Sequence, residues 1–428
     1  MSAAPVAALM EPGALQARLD AILPEPIKAE TRVALSFGGR FAFAQSGGGQ
    51  PQDVAASRFP TGCITKLLIA TLVAIAIDRR MFQREHRAVD YLAPQASVTG
   101  RLGCITIGQL LNHSHGLDDS AVSGPLRDAA GLLDVAALCE AIGPRVLHEP
   151  GEYYSYASVG VWILGAILER AFRAPLIDIL QKQLFAQLDI GAGVEGQSGA
   201  AANAVDFCPA SGGGLTLELR ELMTFMQAHL DRAEPCWIGS AQTQVNAAAV
   251  LSTPGFSPVE RGVCSGWKVY GSGWLGHNSI TPNAPAIVRV HPEQRVAYAV
   301  LCSRRAPASI AVALFGKTLP DSVKYTIPKL LSSEARSRFD TSRCVGTYAN
   351  AASSIVISAT EKSGLHASMS RHASPGVPSR QLRPAEDGVL LALPPDPRLP
   401  FLQGIGSTPV GYSHMWDGIS LRPRVPPE

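Results

Sequence analysis

Charge is scarce in these 428 residues. Asp, Glu, Lys and Arg make up 17% of the chain, against a usual share of roughly 25%. Lys+Arg 37 against Asp+Glu 35 leaves a net charge of only +2, which excludes nucleic-acid binding driven by charge. The 46% of apolar residues can build a large core, so wholesale disorder is excluded too. Long apolar runs are missing: the longest, 67–77, falls short of the ~20 residues that span a bilayer. The first twenty residues hold no basic residue before Arg18 and no continuous apolar stretch. A secretory signal is therefore not expected, and the cytoplasm is the expected location. The eight cysteines include no CxxC pair, against a zinc ribbon or a disulfide-dense scaffold. In a reducing compartment each is by default a small buried apolar side chain. The Gly212–Gly214 run has no Lys-Ser/Thr after it, so it is not a phosphate loop.

What is present is organised in two parts. Residues 32–45 alternate around Gly38-Gly39 and read as a hairpin. Residues 63–77, CITKLLIATLVAIAI, are apolar nearly all round, the pattern of a helix buried on every side. Shorter helices are expected over 106–111 and 131–142, two more over 157–187 broken near Pro175, and another over 216–231. Strands follow at 267–276, 286–291 and 296–302, the last two joined by a turn at Pro292-Glu293-Gln294. They make an antiparallel sheet drawn from both ends of a helical middle. A polar connection spans 331–343. Beyond it 344–350, 354–360, 388–393 and 399–403 read as short strands without a helix, a separate small β domain.

The strongest chemical signal is Cys63-Ile64-Thr65-Lys66 at the start of the buried helix. Positions i and i+3 share a helical face, so thiol and amine can touch. The helix N-terminus also favours an anion there. His113 and His115 form an HxH pair with no third ligand at a useful spacing, so no metal is expected. Asp118-Asp119 reads as a solvated loop rather than an acid pair.

The tetrapeptide resembles the Ser-x-x-Lys motif of penicillin-recognising enzymes, with Cys63 where they have a serine. RFPTGCITKLLIATLVAIAIDRR resembles their nucleophile helix. ITIGQLLNHSHGL at 105–117 is similar to their LLTHTSGL-type segment, and PGEYYSYASVGVWILGAILE at 150–169 to their second motif. GHNSITPNAPAIVRVHPEQRVAYAVL at 276–301 is similar to the third motif strand and its hairpin. The order and spacing hold over roughly residues 30–315. On these segments the chain is identified as a member of the serine β-lactamase-like, penicillin-binding-protein-like family, nearest its class C and esterase branch.

That resemblance implies an α/β fold: an antiparallel sheet flanked by helices over 1–335, then a lipocalin-like β-barrel over 340–428. The layout resembles the penicillin-binding-protein-type thioesterases, which release and cyclise peptides from carrier proteins. Carried over residue by residue, Cys63 is the nucleophile, Lys66 its partner and Tyr156 the proton relay, with Tyr154 a second candidate. Ser158 stands where the family has asparagine. His277-Asn278-Ser279 replaces Lys-Thr-Gly, with His277 positioning substrate or relaying protons. The N–H groups of Cys63 and Ser279 form the oxyanion hole, worth ~3–4 kcal/mol per donor. Ser158, Asn278 and Tyr154 are the substrate contacts.

Cysteine alters the mechanism that the family implies. A free thiol near ~8.5 ionises more readily than a hydroxyl, so a Cys63 thiolate–Lys66 ammonium pair and a thioester intermediate are expected. Thioesters favour amines as acceptors. The implied function is cysteine-dependent acyl transfer, moving or cyclising a carrier-bound acyl or peptidyl group onto an amine in natural-product biosynthesis. Two alternatives stay open: an esterase, amidase or D-peptidase on the same site, and a non-catalytic protein binding acyl ligands. For Cys63 itself, a small core residue and a replacement for an original serine also stay open. No cofactor is expected, and neither a membrane nor a nucleic-acid partner. A carrier protein is the partner that the resemblance implies.

Overall fold

The computed structural model describes residues 4–23, 30–46, 54–92, 101–118, 134, 137, 140, 146–191, 193–194, 214–230, 251–252, 260–279, 284–303, 307–323, 329–351, 353–360, 364–371, 376–386, 389–396, 399–408, 411–416 and 421–425. Of the expected helix over 131–142 only residues 134, 137 and 140 are among the described residues.

The hairpin forms as read. β1 (Thr31–Phe37) turns through Gly38 and Gly39, at φ 61° and 77°, into β2 (Arg40–Gln45). Only glycine takes those angles without strain. Further strands are β3 (Arg58–Pro60), β4 (Gly193–Val194), β5 (Leu215–Glu218), β6 (Leu251–Ser252), β7 (Glu260–Cys264), β8 (Trp267–Tyr270), β9 (Leu275–Ser279), β10 (Ala286–His291) and β11 (Val296–Cys302). The main sheet is antiparallel in the order β2-β1-β11-β10-β9-β8-β7-β6. β10 and β11 are buried at every position because helices cover both faces.

One face is covered by α1 (Ala4–Leu9), α2 (Ala14–Ile22) and a later helix, Pro307–Phe315, around Leu19, Val33, Tyr298 and Phe315. The two N-terminal helices had no counterpart in the sequence reading. The other face carries α3 (Thr65–Asp78), α4 (Ile107–Leu111), α5 (Val159–Phe172) and α6 (Leu219–Ala228). α3 is buried from Thr65 to Ala76, as its all-round apolar sequence predicts. A second, three-stranded sheet runs β3-β5-β4.

Three expectations are corrected. Residues 216–218 belong to β5, and α6 starts only after the reciprocal cap between Glu218 and Glu221. The expected strand 267–276 is split by the turn Gly271–Gly273, where Tyr270 N donates to Trp274 O at 2.7 Å. The polar connection contains a short helix, Ser333–Ser337.

The C-terminal part is a β-barrel of eight strands in sequential order: β12 (Gly346–Ala349), β13 (Ser353–Thr360), β14 (Gly364–Arg371), β15 (Val377–Pro384), β16 (Val389–Asp396), β17 (Leu399–Thr408), β18 (Gly411–Trp416) and β19 (Leu421–Pro423). A bridge from Tyr348 to Arg424 brings its first and last strands together. Closure leaves little of the unpaired edge that an open sheet exposes. Alternate residues such as Ile355, Ile357, Leu365 and Met369 fill it. Among the described residues no helix is long and apolar enough to cross a membrane.

Candidate active site

The small sheet fixes the turn that carries Cys63. Thr61 donates both its N–H and its hydroxyl to Leu215 O on β5, each at 3.0 Å, and Thr65 adds its hydroxyl to Thr61 at 2.6 Å. Gly62 takes φ 49°, and the 3-10 turn Gly62–Ile64 runs into α3 with Cys63 half-buried. The positive φ reverses the chain sharply enough to bring Cys63 to the head of the helix. Lys66, in the first turn of α3, is only 3% exposed.

The expected Cys63–Lys66 contact is not formed. Nζ of Lys66 makes no hydrogen bond with any described residue. Its long stem carries the amine past the turn, to 5.3 Å from the ring centroid of Tyr156. A second amine, Nζ of Lys268 on β8, lies 5.1 Å from the same centroid. Two histidines complete the surround: the rings of His113 and His277 are 4.6 Å and 5.9 Å from that of Tyr156.

Local folding explains why His113 is there. The capping box of Thr106 and Gln109 starts α4, and the chain leaves it with His113 at φ 52°. Ser155 N then donates to His113 O at 2.8 Å, and Ala157 N to His113 Nδ1 at 3.3 Å. The segment carrying Tyr156 is thus stitched to the HxH loop. His115 Nδ1 is likewise used, accepting from Leu117 N at 3.1 Å. No cluster of three metal-ligating side chains occurs among the described residues.

Strand alternation sorts the third motif. His277 pairs with Val288 in the core around α3, whereas Asn278 pairs with Ile287 on the opposite face. The Asn278 amide oxygen accepts from Arg289 at 2.9 Å and from the Tyr270 hydroxyl at 3.5 Å. Asn278 was expected among the substrate contacts; its side chain instead ties down the strand from behind. Ser279 is buried at the end of β9, a strand that packs on the turn carrying Cys63.

Of the two candidate tyrosines, Tyr156 has the lysines beside it. Tyr154 is 2% exposed and packs with Val263, Ala385 and Val389, the last two from the C-terminal part. Tyr156, Leu391 and Ile405 lie against the same cluster. Ser158 sits half-buried at the N-cap of α5, in helical backbone and without a side-chain capping bond. Asp118, read as solvated, is buried and accepts Ala351 N at 2.8 Å. The small β domain therefore backs the tyrosine segment instead of standing apart.

Burial, and then the two lysines, keep His277 well below the ordinary imidazole range. Burial, His115 and the lysines do the same to His113. His277 donates Nδ1–H to Asn278 O at 2.7 Å, which leaves Nε2 of the neutral ring as an acceptor. Two amines and two neutral imidazoles thus converge on the phenol ring of Tyr156. Such a set can carry protons and stabilise negative charge on an acyl group.

Lys268 and His113 escaped the sequence reading as site residues. His113 was weighed only as half of a metal pair, and Lys268 lies outside every quoted motif. Cross-strand neighbourhood puts it there: β8 adjoins β9, so a lysine in a strand beside the third motif was the available signal. Among the other cysteines Cys264, Cys302 and Cys344 are buried, and burial pushes the Cys344 thiol up to about 12. Cys104 is exposed, against the default for it. Cys139, Cys208 and Cys236 lie outside the described residues.

Comparison with known proteins agrees with this architecture. Penicillin-binding protein 4 of Amycolatopsis lactamdurans is 24% identical over 325 residues, 68% of this chain and 84% of that one. The structure of SurE with D-Leu superposes with a TM-score of 0.72 at 22% identity, covering 96% of this chain and 99% of that one. A class C β-lactamase from Rhodobacter sphaeroides gives 0.53 at 18% identity, covering 71% and 97%. The match to two fimbrial assembly proteins of Dichelobacter nodosus spans less than half of their length, 42%. Residues 28–316 match the Beta-lactamase family, and with that match over most of its length the chain belongs to that family.

Proposed function

We propose that this protein transfers acyl groups through a thioester on Cys63, passing a carrier-bound acyl or peptidyl group to an amine in natural-product biosynthesis. The observation that carries the reading is the convergence of Lys66, Tyr156 and a neutral His277 behind the cysteine turn. Sγ of Cys63 bonds the acyl carbon and the donor's thiolate leaves. The acceptor nitrogen then bonds that carbon, the C–S bond breaks, and its electron pair returns to Cys63. The acceptor's proton passes to Nε2 of the neutral His277 ring or to Tyr156 in its phenolate form, either of which can accept it. The N–H groups of Cys63 and Ser279 would hold the oxyanion, with Lys66 nearby. The structural neighbour determined with D-Leu supports an amino-acid-derived substrate.

Hydrolysis is the second reading, favoured by the Beta-lactamase match. Incubating the protein with acyl thioesters, recording intact mass, and then adding an amine or only water separates the two. An adduct absent in Cys63→Ala and discharged by the amine supports transfer; discharge by water alone supports hydrolysis. No adduct from any donor, with Cys63 inert to iodoacetamide, would leave a protein that binds acyl ligands without reacting. Gain of activity in Cys63→Ser would point to serine as the original nucleophile.

A further inference from the structure

We propose that Lys268 is a positioning residue for Tyr156, supplying from β8 the second positive charge at its phenol ring. The proposal rests on the reading that Tyr156 relays the acceptor's proton. The two amines stand 5.1 Å and 5.3 Å from the ring centroid and come from separate elements, β8 and α3. Among the described residues, two imidazoles also face the ring: His113, from the loop after α4, and His277, from β9. Burial keeps both imidazoles neutral, so neither brings charge. The barrel's contribution to this wall, Ala385, Val389, Leu391 and Ile405, is apolar. Among these neighbours the positive charge comes from Lys66 and Lys268.

A cation at ~4–6 Å favours the charged form of an acid. With both ammonium groups present, the phenol of Tyr156 releases its proton more readily. As the acceptor's C–N bond forms, the phenolate takes the nitrogen's proton, and returns it to Sγ of Cys63 as the C–S bond breaks.

The test is a tyrosinate absorbance titration of the free protein, read as the difference from Tyr156→Phe so that the other tyrosines cancel. In Lys268→Met the Tyr156 signal is expected about one pH unit or more higher than in the unsubstituted protein, a tenfold or larger change in proton affinity. Lys268→Arg should restore it. Superimposable titrations of Lys268→Met and the unsubstituted protein would overturn the proposal. If Lys268→Met does not fold, Lys268→Gln carries the same comparison. No turnover is needed, so an absence of acyl transfer would count against the proposed function and not against this titration. Where transfer is measurable, the acid limb of the kcat/KM profile should rise by the same interval in Lys268→Met. Adding Lys268→Met to Tyr156→Phe should then slow transfer no further. A further loss equal to that of the single substitution would place the role of Lys268 elsewhere and overturn the proposal.

Discussion

Tyr153 and His414 meet ring to ring at 5.2 Å, although 261 residues of chain separate them. His414 donates Nε2–H to Leu147 O at 2.8 Å, and Ala351 N reaches Asp118 at 2.8 Å. The barrel thus grips the two segments that hold Tyr156, the HxH loop and the second motif.

From that grip follows the effect of a charge behind the tyrosines. Val389 is fully buried against Tyr154 and Val263. Val389→Asp should destabilise the protein by about 3–5 kcal/mol, the range for an uncompensated buried charge. It should also slow acylation of Cys63, because Tyr156 lies against the same cluster. Urea unfolding and adduct formation by intact mass read the two effects. Slower acylation in Val389→Asp with unchanged stability would show that the barrel acts on the site without holding the fold together.

Gly266 ties the β7–β8 turn to α3. It sits at φ 82°, and a Cβ there would come within 2.7 Å of the Ala70 Cβ. Gly266→Ala combines left-handed strain with overpacking and should cost about 2–4 kcal/mol. Its neighbours are Trp267 and Lys268, so the ring geometry at Tyr156 should loosen as well. Thermal melts of Gly266→Ala and of the double variant with Ala70→Gly check this: partial recovery in the double variant is expected, since only the steric part is relieved.

Acid should unfold this protein early. Burial lowers His115 and His229 to about 3 and holds His113 and His277 well below their usual range. In the unfolded chain each titrates near ~6.5. As pH falls below that value the unfolded state binds protons first. The stability tied to these neutral rings is therefore full above ~6.5 and is lost as pH falls toward the folded values. For a ring such as His229, the loss by pH 5 is about 2 kcal/mol. His229→Gln should flatten the fall in the unfolding free energy, read by urea titration, between pH 7 and pH 5 by that amount. An unchanged slope would mean that His229 takes up its proton in the folded protein.

Much of this was legible in the residues themselves. An all-round apolar run announces α3, and Gly38-Gly39 between alternating residues announces the first hairpin. The spacing of Cys63 and Lys66 places both at the start of α3, as found, but not the thiol–amine contact it also suggested. What stayed hidden depends on neighbours distant in sequence. Lys268 reaches Tyr156 only because β8 lies beside β9, and Val389 reaches Tyr154 only because the barrel docks there. β14 and β15 were missed because their outward positions are Ser, His, Arg and Gln, which dilute the apolar alternation. Residues 216–218 read as helix because Thr216-Leu217-Glu218 runs without a break into a strongly helical sequence. Local pattern decides an element where its own residues form both faces of the contact.

The back of the third motif offers the last discriminating comparison. Arg289 is buried, stacks at 3.7 Å over the Tyr270 ring, and donates to Asn278 Oδ1, to Val288 O at 2.8 Å, and to His277 O and Ser322 O at 3.3 Å. Asn278 adds one acceptor to this set from the face away from Tyr156. Asn278→Ala should therefore cost about 1.5–3 kcal/mol, the value of a lost bond to a charged donor, and leave Cys63 acylation close to that of the unsubstituted protein. Arg289→Met removes every one of these bonds and should cost about 3–5 kcal/mol. Because the freed carbonyl belongs to His277, acylation should fall with it. Unfolding curves and acylation rates of the two variants together decide the point. A roughly tenfold fall in acylation for Asn278→Ala, about 1.4 kcal/mol at the barrier, would mean that the amide turns through the strand to reach the substrate.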